Sequence, residues 1–307
     1  MTHHDDDHDR GLAHDLETMS RQLLGRRRAL GLFAGAGVTA LLAGCGGSDS
    51  TASTSSTSTS TDTSTSTSTS TGSSTSTGSG TSTGSSSSSG TCVADPTETN
   101  GPYPADGTNS SNGSTSNVLT LSSAVRSDIR SSFLNSTTTA SGVRVDITLT
   151  IVNVNASCAA LSNYAIYIWH CDANGDYSLY DLPTESYLRG IQVTNSSGQV
   201  TFTTIFPGCY SGRYPHIHFE VFSSLAGATS GRAAALISQL AMPRSECAAV
   251  YATSGYSDSS RNLGNITIAT DNVFGDNTAA QIAAQTLTMS GSASAGYTAT
   301  ATIGLAL

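Results

Sequence analysis

Past residue 14 the chain holds only three histidines, and two of them, His216 and His218, are one residue apart. In a β-strand, side chains at i and i+2 share a face. The two imidazoles therefore project together, while Ile217, Phe219 and Val221 take the other face and enter a core. Paired imidazoles are half of a metal site. The plainer account is a pair of strand histidines without a metal, but the scarcity of histidine and the nearby tyrosines favour the metal. Tyr177 follows the turn that begins at Trp169, and Tyr210 precedes His216 by six positions. Phenolate is a hard anion, so two phenolates and two imidazoles suit ferric iron better than zinc or cuprous copper. Four protein ligands leave a coordination position open for water or substrate.

These residues need strands and turns to hold them. Val143, Val145, Ile147, Leu149 and Ile151 alternate with polar residues, which predicts a half-buried strand. Tyr164 to His170 predicts a second, with Ile166 and Ile168 on one face and Tyr167 and Trp169 on the other. The Asn174-Gly175 step then turns the chain toward Tyr177 at a rim. Further strands are expected at 189–193, 200–206, 216–222, 263–269, 285–289 and 297–303. Ser122 to Phe133 reads as the one helix, with Ser122 as its cap and Val125, Ile129 and Phe133 at helical spacing. The fold class expected is all-β, a β-sandwich of mainly antiparallel strands with one short helix.

The first ninety residues carry other signals. Arg26-Arg27-Arg28 precede a short apolar run that ends in Leu42-Ala43-Gly44-Cys45, the form of an export signal too short to span a bilayer. The last four resemble a bacterial lipobox, with Cys45 as the lipidated residue. The paired arginines resemble a twin-arginine signal, the general secretory route being the alternative. Residues 1–44 are thus expected to be a signal peptide. Residues 45–91, almost wholly Ser, Thr and Gly, have nothing apolar to bury. They form a tether with a coil dimension of roughly 40 Å. Residues 92–307 form one domain. Past residue 44 there are eight arginines, no lysine and sixteen carboxylates, a balance that argues against nucleic acid and against charge-driven lipid binding. Cys92, Cys158, Cys171, Cys209 and Cys247 match no zinc motif and leave at least one thiol unpaired; their pairing stays open.

Taken in order, Gly101-Pro102-Tyr103, Asp128-Ile129-Arg130, Trp169 to Tyr177, Leu188-Arg189-Gly190, Phe202 to Tyr210, Arg213, the histidine pair and Ser238-Gln239-Leu240 resemble the intradiol ring-cleavage dioxygenases, the protocatechuate and catechol dioxygenase family. The likeness is to its exported branch and runs from Gly101 to about Tyr251. It implies Fe(III) held by Tyr177, Tyr210, His216 and His218, with Tyr210 the ligand that leaves when substrate chelates. It implies that Arg213 faces the bound catecholate and that Gln239 belongs to the pocket. The reaction implied is O2-dependent opening of an aromatic diol between its hydroxyls, giving a cis,cis-muconate-type product. Tyr214 is expected as a pocket wall, and Tyr103 either lines the pocket or braces it. His170 is expected to pack or support rather than ligate, and Trp169 to lie in the core. Only five residues separate Tyr210 from His216, a shorter loop than in the well-studied cytoplasmic enzymes. The helical dimerisation segment of the catechol branch is replaced by the tether, so oligomeric state is not carried over. The partners expected are a small aromatic diol, O2 and a membrane reached only through a lipid anchor. The competing reading is a tethered binding module for catecholate or ferric-catecholate ligands.

Overall fold

A computed structural model describes residues 92–111 and 114–307. The expected signal peptide, Cys45 and the whole of the tether lie outside these residues. The strands are β1 (Asp106–Ser111), β2 (Ser114–Asn117), β3 (Arg144–Asn153), β4 (Ala159–Ala160), β5 (Ala165–Trp169), β6 (Arg189–Val193), β7 (Gln199–Ile205), β8 (His216–Phe222) and β9 (Leu236–Ala241). Three helices follow, α1 (Arg244–Tyr251), α2 (Ser259–Gly264) and α3 (Ala279–Gln285), and then β10 (Thr288–Ser292) and β11 (Gly296–Leu305).

Two sheets face each other. One runs β10-β11-β3, with β7 and β4 also pairing β3; the other is β6-β5-β8-β9. Every pair is antiparallel except β11 with β3. Alternation decides the packing. Val145, Ile147, Leu149 and Ile151 of β3 meet Ile166 and Ile168 of β5 and Ile217, Phe219 and Val221 of β8 in the space between the sheets. Each such side chain contributes about 1.5–3 kcal/mol on burial. The opposite face of the second sheet is also covered. Tyr167, Trp169, Ile191 and Phe222 form a second cluster with Ala105, Val118, Leu119 and Tyr177. The two histidines of β8 project into this second layer, beneath the segment that leads into the β1–β2 ribbon.

The helix expected over 122–133 is not formed. Only Ser122–Ala124 make a 3₁₀ turn, and the chain beyond is extended. Its backbone pairs with strands instead: the Ile129 amide donates to the Thr203 carbonyl, and Leu188 donates to the Ile129 carbonyl. Arg126 bonds the carbonyls of Arg189 and Ile129 and lies over the Phe133 ring. Tertiary hydrogen bonds replace the i to i−4 ladder. The strand expected over 263–269 is also overturned, because Leu263 and Gly264 form the end of α2 and Ile268–Thr270 form a 3₁₀ turn. Gln285 ends α3 rather than opening a strand. The Thr278/Gln281 capping box of α3 was a readable signal that alternation over 285–289 obscured.

Cys92 and Cys158 form a disulfide, while Cys171, Cys209 and Cys247 are buried thiols. Nearby, the Asp95 amide donates to the Gly304 carbonyl, and its Oδ2 accepts from the Gly304 amide at 2.7 Å. Its Oδ1 is buried without a partner, and burial pushes the carboxyl up to about 7. The folded state therefore holds this proton more tightly than the unfolded chain does. The resulting stability is complete below the unfolded value near 3.8 and is lost as pH rises through about 7. The full loss is at most about 4 kcal/mol. Asp95→Asn should flatten this part of the stability profile between pH 4 and 8, as measured by urea unfolding.

Candidate metal centre

β8 sets the two imidazoles on one face. The His216 Nδ1–H donates to the Tyr214 carbonyl at 2.6 Å, which leaves the Nε2 lone pair free. His216 Nε2 and His218 Nε2 are 3.0 Å apart. His218 is stacked on Trp169 of the neighbouring strand, ring centroids 4.8 Å apart and planes within 6°. Gly101 closes over the other side. Its φ of +71° lies in the left-handed region, and a Cβ there would be 3.1 Å from His218 Cε1. Any other residue here would be strained at this φ and would press its Cβ on the imidazole, so glycine suits the close approach of the Gly101-Pro102-Tyr103 loop.

Tyr177 comes from the loop after β5. The Asp172 carboxylate accepts from the Asn174 and Asp176 amides, and Asp181 accepts from the Tyr177 amide at 2.8 Å. The turn expected at Asn174-Gly175 is present. Gly175, at φ +100°, places its Cα so close to Tyr210 that a Cβ would be 2.9 Å from the Tyr210 Cβ. Tyr210 lies in the loop between β7 and β8. The Cys209 amide donates to Ser259 Oγ, and Asn262 Nδ2 donates to the Cys209 carbonyl, so α2 brackets this loop. Tyr210 Oη is 3.4 Å from His216 Nε2. The Tyr177 ring lies 6.0 Å from Tyr210 and 6.2 Å from His218, centroid to centroid. Two phenols and two imidazoles thus converge from one strand and two loops.

Tyr177 is not at a rim: it is 2% exposed, as are His216 and His218. The cover is Tyr103, whose ring lies 5.0 Å from both Tyr177 and Tyr180. Arg189, wholly buried, fastens that cover. It donates from Nε to Ser178 Oγ, from NH2 to the Ser178 carbonyl and from NH1 to the Pro104 carbonyl. The sequence placed Leu188-Arg189-Gly190 among the matching segments but gave Arg189 no role. An arginine inside an otherwise buried strand was the available signal.

Arg213 is buried and ion-paired with Asp271 at 3.0 Å, and it donates from NH2 to Gln239 Oε1 at 2.6 Å. Gln239 also donates to the Thr99 carbonyl at 3.0 Å and so ties the Gly101 loop to β9. Asp271 was not anticipated, since it lies beyond the stretch where motifs could be matched. Tyr214, expected as a pocket wall, is elsewhere. No regular strand precedes His216, and Asp271 captures the Tyr214 amide at 2.7 Å. The ring turns into the main core, edge-on to Phe274. His170 bonds the Cys171 carbonyl and Thr204 Oγ1 and faces away from the cluster's donor atoms.

The donor set fits a hard cation. Tyr177 Oη is buried with no hydrogen-bond partner. Burial, reinforced by the Tyr210 phenol, pushes the Tyr177 hydroxyl well above its ordinary range, and burial likewise raises Tyr210. Burial, aided by the Arg213 charge, pushes His216 down to about 3, and burial and His216 push His218 well below the usual imidazole range. Neutral imidazoles and phenols that need a strong positive charge to ionise are what a ferric ion would find here. Among the described residues no three His, Cys, Asp or Glu side chains form a metal group; this cluster is of mixed phenol and imidazole type.

No family model matches the sequence, and no curated protein matches it. Solved structures do. An intradiol ring-cleavage dioxygenase from Tetranychus urticae is 25% identical, covering 70% of this chain and 95% of its own, with a TM-score of 0.53. A second dioxygenase structure is 24% identical over 70% of this chain and 95% of its own, with a TM-score of 0.52. The fold that carries the phenol–imidazole cluster is thus similar to that of intradiol ring-cleavage dioxygenases.

Proposed function

We propose that this protein is a non-haem Fe(III) dioxygenase that opens catechol-type aromatic diols between their two hydroxyls. O2 supplies both added oxygen atoms, so the product is a cis,cis-muconate-type diacid and no external reductant is needed. The observation that carries this reading is the convergence of Tyr177 Oη, Tyr210 Oη, His216 Nε2 and His218 Nε2 beside the buried Arg213 guanidinium. These four side chains would hold the iron, which when bound supplies the electrophilic charge that makes the diol reactive toward O2.

The remaining chemistry belongs to the chain. Tyr210 is the less buried phenol and stands beside His216, so its phenolate, once a bound cation has ionised it, would be the group best placed to take a proton from an incoming hydroxyl. Arg213 keeps NH1 buried and unpartnered, a charged donor available to an oxyanion that develops on the ring. Tyr103 and Tyr180 exclude water above Tyr177. The domain is read as an exported lipoprotein held by its tether. Support comes from the lipobox-like run ending at Cys45 and from the Cys92–Cys158 disulfide, which suits an oxidising compartment.

The test is metal content and a visible spectrum of the purified chain, before and after anaerobic addition of catechol, followed by admission of O2. A tyrosinate-to-iron band that shifts with catechol, with one O2 consumed per ring-opened product, is expected. A shift without product would make the protein a catecholate-binding module, and a chain that cannot be loaded with iron would refute both readings.

A further inference from the structure

The Arg213–Asp271 pair is built more closely than an ion pair requires. The Asp271 carboxylate is buried and collects five contacts. Oδ2 accepts from the Tyr214 amide at 2.7 Å and from Arg213 Nε at 3.0 Å. Oδ1 accepts from the Val273 amide at 2.8 Å, from the Phe274 amide at 3.2 Å and from Arg213 NH2 at 3.4 Å. Burial alone would raise this carboxyl, but the Arg213 charge and the amides outweigh it and hold it below the usual range. The three amides fix the carboxylate, and the carboxylate fixes one edge of a planar guanidinium. Gln239 Oε1 takes the other NH2 proton. Only NH1 is left, buried and without a partner.

We infer that Asp271 is a positioning residue, setting the roll of the Arg213 guanidinium so that NH1 remains free to meet the substrate oxyanion. This rests on the dioxygenase reading above. It also gives the C-terminal segment a task. The turn between α2 and α3, beyond the matched motifs, supplies the anchor for a side chain that precedes β8.

A double-mutant cycle on the full chain tests it. Asp271→Asn should lower kcat by about 10²-fold, the scale of a misplaced catalytic group, with iron content and KM changed less than about threefold. Added to Arg213→Met, it should change kcat by less than about threefold, because a residue acting through Arg213 has nothing left to position. An equal loss in both backgrounds would overturn the assignment. A crystal structure of Asp271→Asn poses the question without turnover. NH1 displaced by about 1 Å or more is expected, and an unmoved guanidinium refutes the inference even if the wild-type chain proves inert toward catechol. Should Asp271→Asn fail to fold, Arg213→Lys decides. It keeps the charge and the partner but cannot offer a second edge, so its kcat should fall nearly as far as that of Arg213→Met. Near-wild-type turnover would show that charge alone suffices.

Discussion

His218→Ala is expected to weaken iron retention by at least about 10²-fold, more than is typical for losing a supporting residue around a metal, and to abolish the tyrosinate colour and the turnover with it. The imidazole is buried between the Trp169 face and Gly101, with Nε2 directed at His216. A ligand at an exposed rim could be lost with the fold untouched. His218 is not such a residue, being 2% exposed. Removing a fully buried ring opens a cavity against Trp169, so melting temperature should fall as well, by an amount corresponding to about 2–3 kcal/mol. Tyr177→Phe separates the two effects. It deletes only a buried Oη that has no hydrogen-bond partner, so stability should hold or rise while iron and colour are lost. Tyr210→Phe should retain more iron than Tyr177→Phe if Tyr210 is the ligand that leaves. Metal analysis, the visible spectrum and a thermal melt of the three variants check this together. Wild-type iron content and unchanged spectra in all three would mean that the centre lies elsewhere.

Arg213→Met should lower kcat by about 10²–10³-fold, the usual consequence of removing one preorganised donor to a developing oxyanion. Iron content and the resting spectrum should stay near wild type, since Arg213 bonds Asp271 and Gln239 rather than the phenols. Breaking a buried ion pair by removing one partner typically costs about 3–5 kcal/mol. Asp271 keeps three backbone donors here, so the loss should be at the lower end and the chain should still fold. Steady-state oxygen uptake with matched iron content measures the effect. A kcat within a few-fold of wild type would remove Arg213 from the chemistry.

The reach of the sequence differs from element to element. β8 begins and ends at His216 and Phe222, as expected, and β6 occupies Arg189–Val193, because strict alternation and flanking turn residues leave one register that buries the apolar face. The segment from Ser122 to Phe133 misled for the opposite reason. Its apolar residues fit a helical period, yet its amides and carbonyls find partners on β6 and β7 that local pattern cannot announce. The C-terminal helices were missed because Ser, Thr, Gly and Ala carry weak periodicity. Leu263 and Ile266 are buried at a spacing of three, which a strand pattern absorbs.

By itself the sequence determined the sandwich class and the shared face of His216 and His218, because side-chain alternation is a local property of the backbone. It also held the order of motifs from Gly101 to Gln239 and the acidic, lysine-free composition. Tertiary structure alone decided which donor atoms meet, that Tyr177 is buried, that Tyr214 belongs to the core and that Asp271 holds Arg213. Each of those facts depends on segments far apart in the chain, brought together by core packing and by the partners that buried polar groups must find.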